Sequence, residues 1–266
     1  MVATLAASST APAKATPRAA PIGSGQADFN GDGYADLAIG IPYEAYGSLA
    51  EAGAVQLLYG SGSGLQATSP PESSFLTQAS PDVKDAPEAD DVFGFAVATG
   101  DFNRDGYTDL AVGVPGEVVG SVGSGAVQIF YGTSAGLQAV SPDDQLFAQN
   151  SMNVKGTAQN GDNFGRSVRS ADFNADGFAD LAIGIPFKSV GQATGAGAVQ
   201  ILYGSSAGLQ AVSPDDQVFT QDSPGGQGFI QRLRPLRLIP FRSRLQRRRL
   251  QRPGHRDSRQ DGRYGR

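Results

Sequence analysis

Along this chain short apolar runs alternate with small or polar residues, and none of them follows a helical period. In "DLAIGIP", Leu181, Ile183 and Ile185 alternate with Ala182 and Gly184. That period of two sends every second side chain to one face of a strand. The run occurs in three versions, beginning at Asp36, Asp109 and Asp180. A second run, "AVQLLYG", "AVQIFYG" or "AVQILYG", begins at Ala54, Ala126 and Ala198. Shorter candidates flank this pair. "FGFAV" from Phe93 and "FGRSV" from Phe164 come before it, and "QLFAQ" from Gln145 and "QVFTQ" from Gln217 come after it. Turns rich in Gly, Pro and Asp separate them all.

The units are duplicates. "DFNGDGYADLAIGIP" from Asp28 returns as "DFNRDGYTDLAVGVP" from Asp101 and, at almost the same interval, as "DFNADGFADLAIGIP" from Asp172. Four short strands per unit predict an all-β chain, a partial β-propeller of four-stranded antiparallel blades with three blades present. The blades are assigned to residues 21–79, 80–150 and 151–222. Two connections vary over this frame. One follows the second strand ("YEAYGSLAEAG", "GEVVGSVGSG", "FKSVGQATGAG"), and the other precedes the first ("SPDVKDAPEADDV", "NSMNVKGTAQNGDN"). Such variation marks either a surface for partner contacts or segments that nothing holds.

Charge divides the chain. Residues 231–266 carry 13 Arg against 2 Asp, and the remaining 8 basic and 24 acidic residues give residues 1–230 a charge of −16. An acidic body excludes nucleic acid as a partner. There are 36 Gly, 16 Pro and no Cys, so neither a disulfide framework nor thiolate chemistry is available. No apolar run reaches the roughly 20 residues of a membrane-spanning helix.

The repeated acidic segment has the composition of a calcium loop. Side-chain oxygens stand at loop positions 1, 3, 5 and 9: Asp28, Asn30, Asp32 and Asp36; Asp101, Asn103, Asp105 and Asp109; Asp172, Asn174, Asp176 and Asp180. At position 7, Tyr34, Tyr107 and Phe178 offer a backbone carbonyl. At position 6, Gly33, Gly106 and Gly177 permit the turn around an ion. An all-oxygen, carboxylate-rich set selects a hard cation, Ca²⁺ over Mg²⁺, one per repeat and three in all. An EF-hand is a poor fit, because position 12 is Ile39, Val112 or Ile183 where that site needs a bidentate Glu.

These residues resemble the FG-GAP repeats of integrin α-subunit β-propellers and their bacterial relatives. "FG" stands at Phe93-Gly94 and Phe164-Gly165, and the "GAP" element at Gly40-Ile41-Pro42, Gly113-Val114-Pro115 and Gly184-Ile185-Pro186. The resemblance covers about residues 21–222. It implies that the calcium loops join the first two strands of each blade on one face and that the variable loops gather on the opposite, ligand-binding face. Ala20-Pro21 stands where the first blade's "FG" belongs, so that blade lacks its opening strand or borrows one.

The two ends depart from the repeat. Residues 1–20 read as a leader, either the back half of a secretion signal or an Ala/Pro/Ser-rich segment without structure. Residues 223–266 read as a frameshifted fourth repeat: back-translated from Leu245 and shifted by one nucleotide, permitted codons spell "FNGDGYSDLAIGIP". The hidden Asp falls one further period after Asp172, and the arginines and His255 would then carry no evolved function.

The expected function is a secreted, calcium-binding propeller module for adhesion, meeting an extracellular protein or carbohydrate through its variable loops and exposed to self-association through unpaired blade edges. The alternative is the non-catalytic propeller portion of a larger secreted hydrolase. Catalysis is not expected: there is no GxSxG elbow, and residues 1–230 contain neither His nor Cys to act as base.

Overall fold

A computed structural model describes residues 26–66, 75–140 and 143–224. By internal contacts the chain divides into residues 1–228 and 229–266, and every described residue belongs to the first unit. The leader expected at 1–20 and the fourth repeat expected at 223–266 lie outside the described residues, apart from Ser223 and Pro224.

Strands account for all the regular structure among the described residues. The first sheet holds β1 (Leu37–Ile41), β2 (Ala54–Leu58) and β3 (Phe75–Leu76). The second holds β4 (Ala96–Gly100), β5 (Asp109–Val114), β6 (Ala126–Phe130) and β7 (Gln145–Phe147). The third holds β8 (Ser167–Ala171), β9 (Asp180–Ile185), β10 (Ala198–Leu202) and β11 (Gln217–Thr220). In each sheet, strands consecutive in sequence are antiparallel neighbours. This is the meander of a propeller blade, repeated three times. The segment where the first blade's opening strand would lie falls mostly outside the described residues; within them Ala27 pairs with Asp36 as Gly100 pairs with Asp109 and Ala171 with Asp180.

The structure corrects the sequence reading at one point. The pattern places Phe93-Gly94 and Phe164-Gly165 inside the opening strands, yet β4 starts at Ala96 and β8 at Ser167. The Phe-Gly pair is a corner docked on the preceding blade. Phe93 N donates to Ala52 O at 3.0 Å, and Phe164 N donates to Ser124 O at 2.7 Å. Both rings are fully buried. The same corner explains the glycine of the "GAP" element: a Cβ at Gly40 would stand 1.9 Å from Gly94 O, and one at Gly113 would stand 2.0 Å from Gly165 O. The blades therefore meet backbone to backbone.

The outer blades show where stacking stops. Phe29 and Phe102, at loop position 2, are fully buried against the next blade, whereas Phe173 is 50% exposed. Val55 and Val127 are buried where their counterpart Val199 is exposed. An open groove of about 840 Å³, lined by Phe95, Arg166, Gly184, Ile185, Val199 and Phe219, runs along this face of blade 3. On the other flank, Leu37 and Ile39 of β1 are exposed while Leu110, Val112, Leu181 and Ile183 are buried.

Truncating the position-2 ring should cost according to whether a blade covers it. Phe102→Ala is expected to lose about 3–5 kcal/mol in urea unfolding, as for a fully buried Phe. Phe173→Ala should lose less than about 1.5 kcal/mol, because half of its ring already meets water.

Candidate metal centre

In blades 2 and 3 the acidic loop connects the first strand to the second, and in blade 1 it leads into β1. All three loops share one set of hydrogen bonds. In blade 2, Asp105 N donates to Asp101 Oδ1 and to Asn103 Oδ1, each at 3.1 Å. Gly106 N donates to Asp101 Oδ2 at 3.1 Å, and Tyr107 N to Asp105 Oδ1 at 2.9 Å. Asn103 Nδ2 donates to Asp105 Oδ2 at 2.9 Å. The loops at Asp28 and Asp172 repeat each contact. Asp and Asn at positions 1, 3 and 5 thus fold the backbone around their own side-chain oxygens, as Asx turns do.

Position 9 is built differently. Asp109 Oδ2 accepts from Phe102 N at 2.7 Å, and its Oδ1 accepts from Gly132 N at 2.9 Å. Asp36 is held in the same way by Phe29 N and Gly60 N, and Asp180 by Phe173 N and Gly204 N. One carboxylate ties the loop to the glycine that follows the third strand. Burial pushes Asp36 up to about 6 and Asp109 well above the usual carboxylate range. Asp101 and Asp180 are also raised, again by burial first. At position 9 the charges of positions 1 and 5 add to the upward push.

The structure therefore brings positions 1, 3 and 5 together in every loop and sets position 9 behind them. The Asp oxygens at positions 1, 5 and 9 are not drawn within 4.8 Å of one another; among the described residues the one such group lies elsewhere. This arrangement fits a calcium ion. A carboxylate accepts about four hydrogen bonds or ligand bonds, and the backbone N–H groups leave capacity free. In the EF-hand, whose loop opens with the same spacing of oxygens, position 9 often reaches the metal through a water. Three carboxylates concentrated in one short loop supply charge that a divalent cation offsets.

Position 4 has no counterpart in the sequence reading. Gly31, Arg104 and Ala175 have φ of 69°, 57° and 61°, so two side-chain-bearing residues take the left-handed conformation beside position 6, where the glycines have φ of 90–93°. A left-handed residue costs roughly 1–2 kcal/mol. Only the glycine in the first loop hints at it. Arg104 also reaches the next loop, with Nη1 3.3 Å from Asp176 O.

Fold and loops define a segment of β-propeller in which every blade carries an acidic turn ahead of its "DLAIGIP"-type strand. The family model described as FG-GAP repeat matches residues 23–58, 93–130 and 164–202, and the chain is an FG-GAP repeat protein of the integrin α-like type. It is 37% identical over 131 residues to phosphatidylinositol-glycan-specific phospholipase D of Bos taurus, covering 49% of this chain and 15% of that protein. It is 40% identical over 123 residues to integrin alpha-3 of Mus musculus, covering 44% of this chain and 10% of that one. With integrin alpha-IIb of Mus musculus the figures are 38% over 163 residues, 59% and 14%. The chain spans about a tenth to a seventh of the length of these relatives.

The clamp at position 9 should matter with or without metal. Asp109→Asn replaces one acceptor with an NH₂ facing a backbone N–H, and is expected to lose about 1–3 kcal/mol in chemical denaturation even in excess EDTA. A ligand without a scaffolding role would show that loss only when calcium is present.

Proposed function

We propose that the chain is a non-catalytic, calcium-stabilised propeller module that works outside the cell, binding a protein or carbohydrate partner through its variable connections. The threefold acidic loop carries this reading, because three copies of one oxygen-rich turn keep the same internal hydrogen bonds and the same oxygen-bearing residues while positions 4, 7 and 8 change. One Ca²⁺ per loop would be held by side chains at positions 1, 3 and 5, the position-7 carbonyl and position 9. The ion's contribution is to neutralise the loop and cross-link its backbone.

The variable connections support a binding role. In a meander successive connections alternate ends, so residues 42–53, 115–125 and 186–197 lie at the end of each blade opposite the acidic loop. Each is closed by a reciprocal backbone pair, Tyr46 with Leu49, Val119 with Val122, and Val190 with Ala193. A common frame thus presents different tips, among them exposed Tyr43, Tyr46, Val118 and Phe187. This favours a surface for contacts over segments that nothing holds. No helix among the described residues is long and apolar enough to cross a membrane.

A second reading, the non-catalytic propeller portion of a larger secreted hydrolase, is favoured by the similarity to a protein named as a phospholipase D. In either setting the apolar groove on blade 3 is a surface for another blade, or for a second chain.

Calcium removal tests the metal. At tenfold excess over Kd each site stabilises the folded state by about 1.4 kcal/mol. For three sites the melting temperature should rise on the order of 10 °C over the EDTA-treated protein. Identical melts with calcium and with EDTA would sink the calcium reading.

A further inference from the structure

A second acidic group lies at the other end of blade 2. Glu88, Asp91 and Glu117 bring carboxylate oxygens within 4.8 Å of one another, with Asp91 and Glu117 buried and Glu88 exposed at the rim. Glu88 and Asp91 belong to the approach to β4, and Glu117 to the exit from β5, so the group stands beneath the variable connections. Burial, followed by the charges of Asp91 and Asp85, pushes Glu117 up to about 8, and burial pushes Asp91 up to about 6. No ion pair among the described residues includes any of the three.

Two observations bear on the complement of this group, and the second carries the more weight. The first is Gln78, which enters from the end of blade 1 and is 3% exposed. Its Nε2 donates to Glu117 Oε2 at 2.5 Å, and its Oε1 is buried without a partner. Leaving such an oxygen unpaired costs about 1–3 kcal/mol. Turned end for end, the same amide would direct that oxygen at the carboxylates, where a cation satisfies it and them, while its NH₂ takes the oxygen's former place. Gln149, its counterpart in blade 3, is likewise buried with neither amide atom paired.

The second is the repeat itself. The offset that takes Asp101 to Asp172 also takes Asp91 to Asp162, Glu88 to Gln159, Gln78 to Gln149 and Glu117 to Lys188. The backbone cradle is the same: Glu88 N donates to Asp91 Oδ2 at 2.5 Å, and Gln159 N to Asp162 Oδ2 at 3.0 Å. In blade 3 that cradle holds a buried positive charge. Lys188 Nζ is 2.9 Å from Asp162 Oδ2 and also donates to Thr157 O. Blade 2 has a third carboxylate in place of the lysine.

We propose that Glu88, Asp91 and Glu117, with the amide oxygen of Gln78, bind a divalent, oxygen-preferring cation of the calcium class, at the place where blade 3 carries the ammonium of Lys188. The donor set is all oxygen and mostly carboxylate, which suits a hard cation. Bound there, the ion ties the approach to β4 to the exit from β5, and both to the end of blade 1. It braces two variable connections from below.

The test counts calcium bound per full-length chain by equilibrium dialysis, for the wild type, Glu117→Lys and Glu117→Gln, with folding followed by circular dichroism. Glu117→Lys transplants the blade 3 arrangement. Each variant is expected to bind one ion fewer than the wild type. Glu88→Gln, on the exposed rim where folding is not at stake, should weaken the same site at least about tenfold. An undiminished count in folded Glu117→Lys, or unchanged affinity in Glu88→Gln, overturns the proposal and leaves Glu117 holding a proton. The acidic loops contribute equally to wild type and variants. If they bind nothing, both counts fall and the difference between them remains.

Discussion

Blades of this propeller approach one another so closely that at Gly40 and Gly113 a single methyl group would strike the carbonyl of the next blade's Phe-Gly corner. Much follows from that contact. It fixes where each following blade begins, since the Phe ring is buried in the joint and its N–H is bonded to the blade before. It also sets the relation between loops, because a corner docked at one end brings the acidic turn at the other end against its neighbour. There Thr108 N donates to Asp28 O at 3.0 Å, and Ala179 N to Asp101 O at 2.9 Å. Stability in such an array is the sum of blades and their joints. An outer blade with one uncovered flank, as blade 3 has, lacks part of the second contribution.

The sequence displays the blades more clearly than the joints. The alternation in "DLAIGIP" and "AVQILYG" places β9 and β10 almost to the residue, because a half-buried strand must alternate and each run ends in Gly or Pro. Phe93-Gly94 reads as strand because an aromatic beside apolar residues has the composition of one. Its bonds go to Ala52 and Gly53 of the preceding blade, and no local pattern can carry a contact made so far along the chain. The acidic loop is legible for a related reason: its geometry is made by side chains bonding their own backbone within one short segment. Position 9 belongs to that motif by spacing, yet much of its structural work is the bond to Gly60, Gly132 or Gly204, beyond the loop.

Burying negative charge is the recurring electrostatic problem of this chain, and its solutions differ by place. At position 9 two backbone N–H groups receive each carboxylate, which lowers the cost of burial without removing the charge. At the outer edges Lys84 bridges Asp143 and Asp144, and Lys155 bridges Asp215 and Asp216, each pair linking the approach to a blade with the approach to that blade's outermost strand. The contacts to Asp143 and Asp215 are exposed and contribute little individually, whereas Asp144 and Asp216 are buried. At the exit from the second strand, blade 3 uses Lys188 against Asp162, both buried, where breaking the pair would strand an unpaired charge.

Glu117 is the place where this pattern does not close within the side chains. A repeat that evolves by duplication starts with the same residue in every copy, and the cradle around Asp91 and Asp162 has kept its geometry while its occupant changed sign. A lysine and a metal ion are alternative ways to supply positive charge to one carboxylate, but they differ in reach. Lys188 fills its site from a single strand exit and bonds one carbonyl and one carboxylate. A divalent ion coordinates from all sides, so it requires ligands from several segments and fastens them to each other. The carboxylate at 117 and the amide at 78 come from different blades. An ion between them would act on the joint, the same element on which the Phe-Gly corner acts, from the end of the blade where the chain varies most.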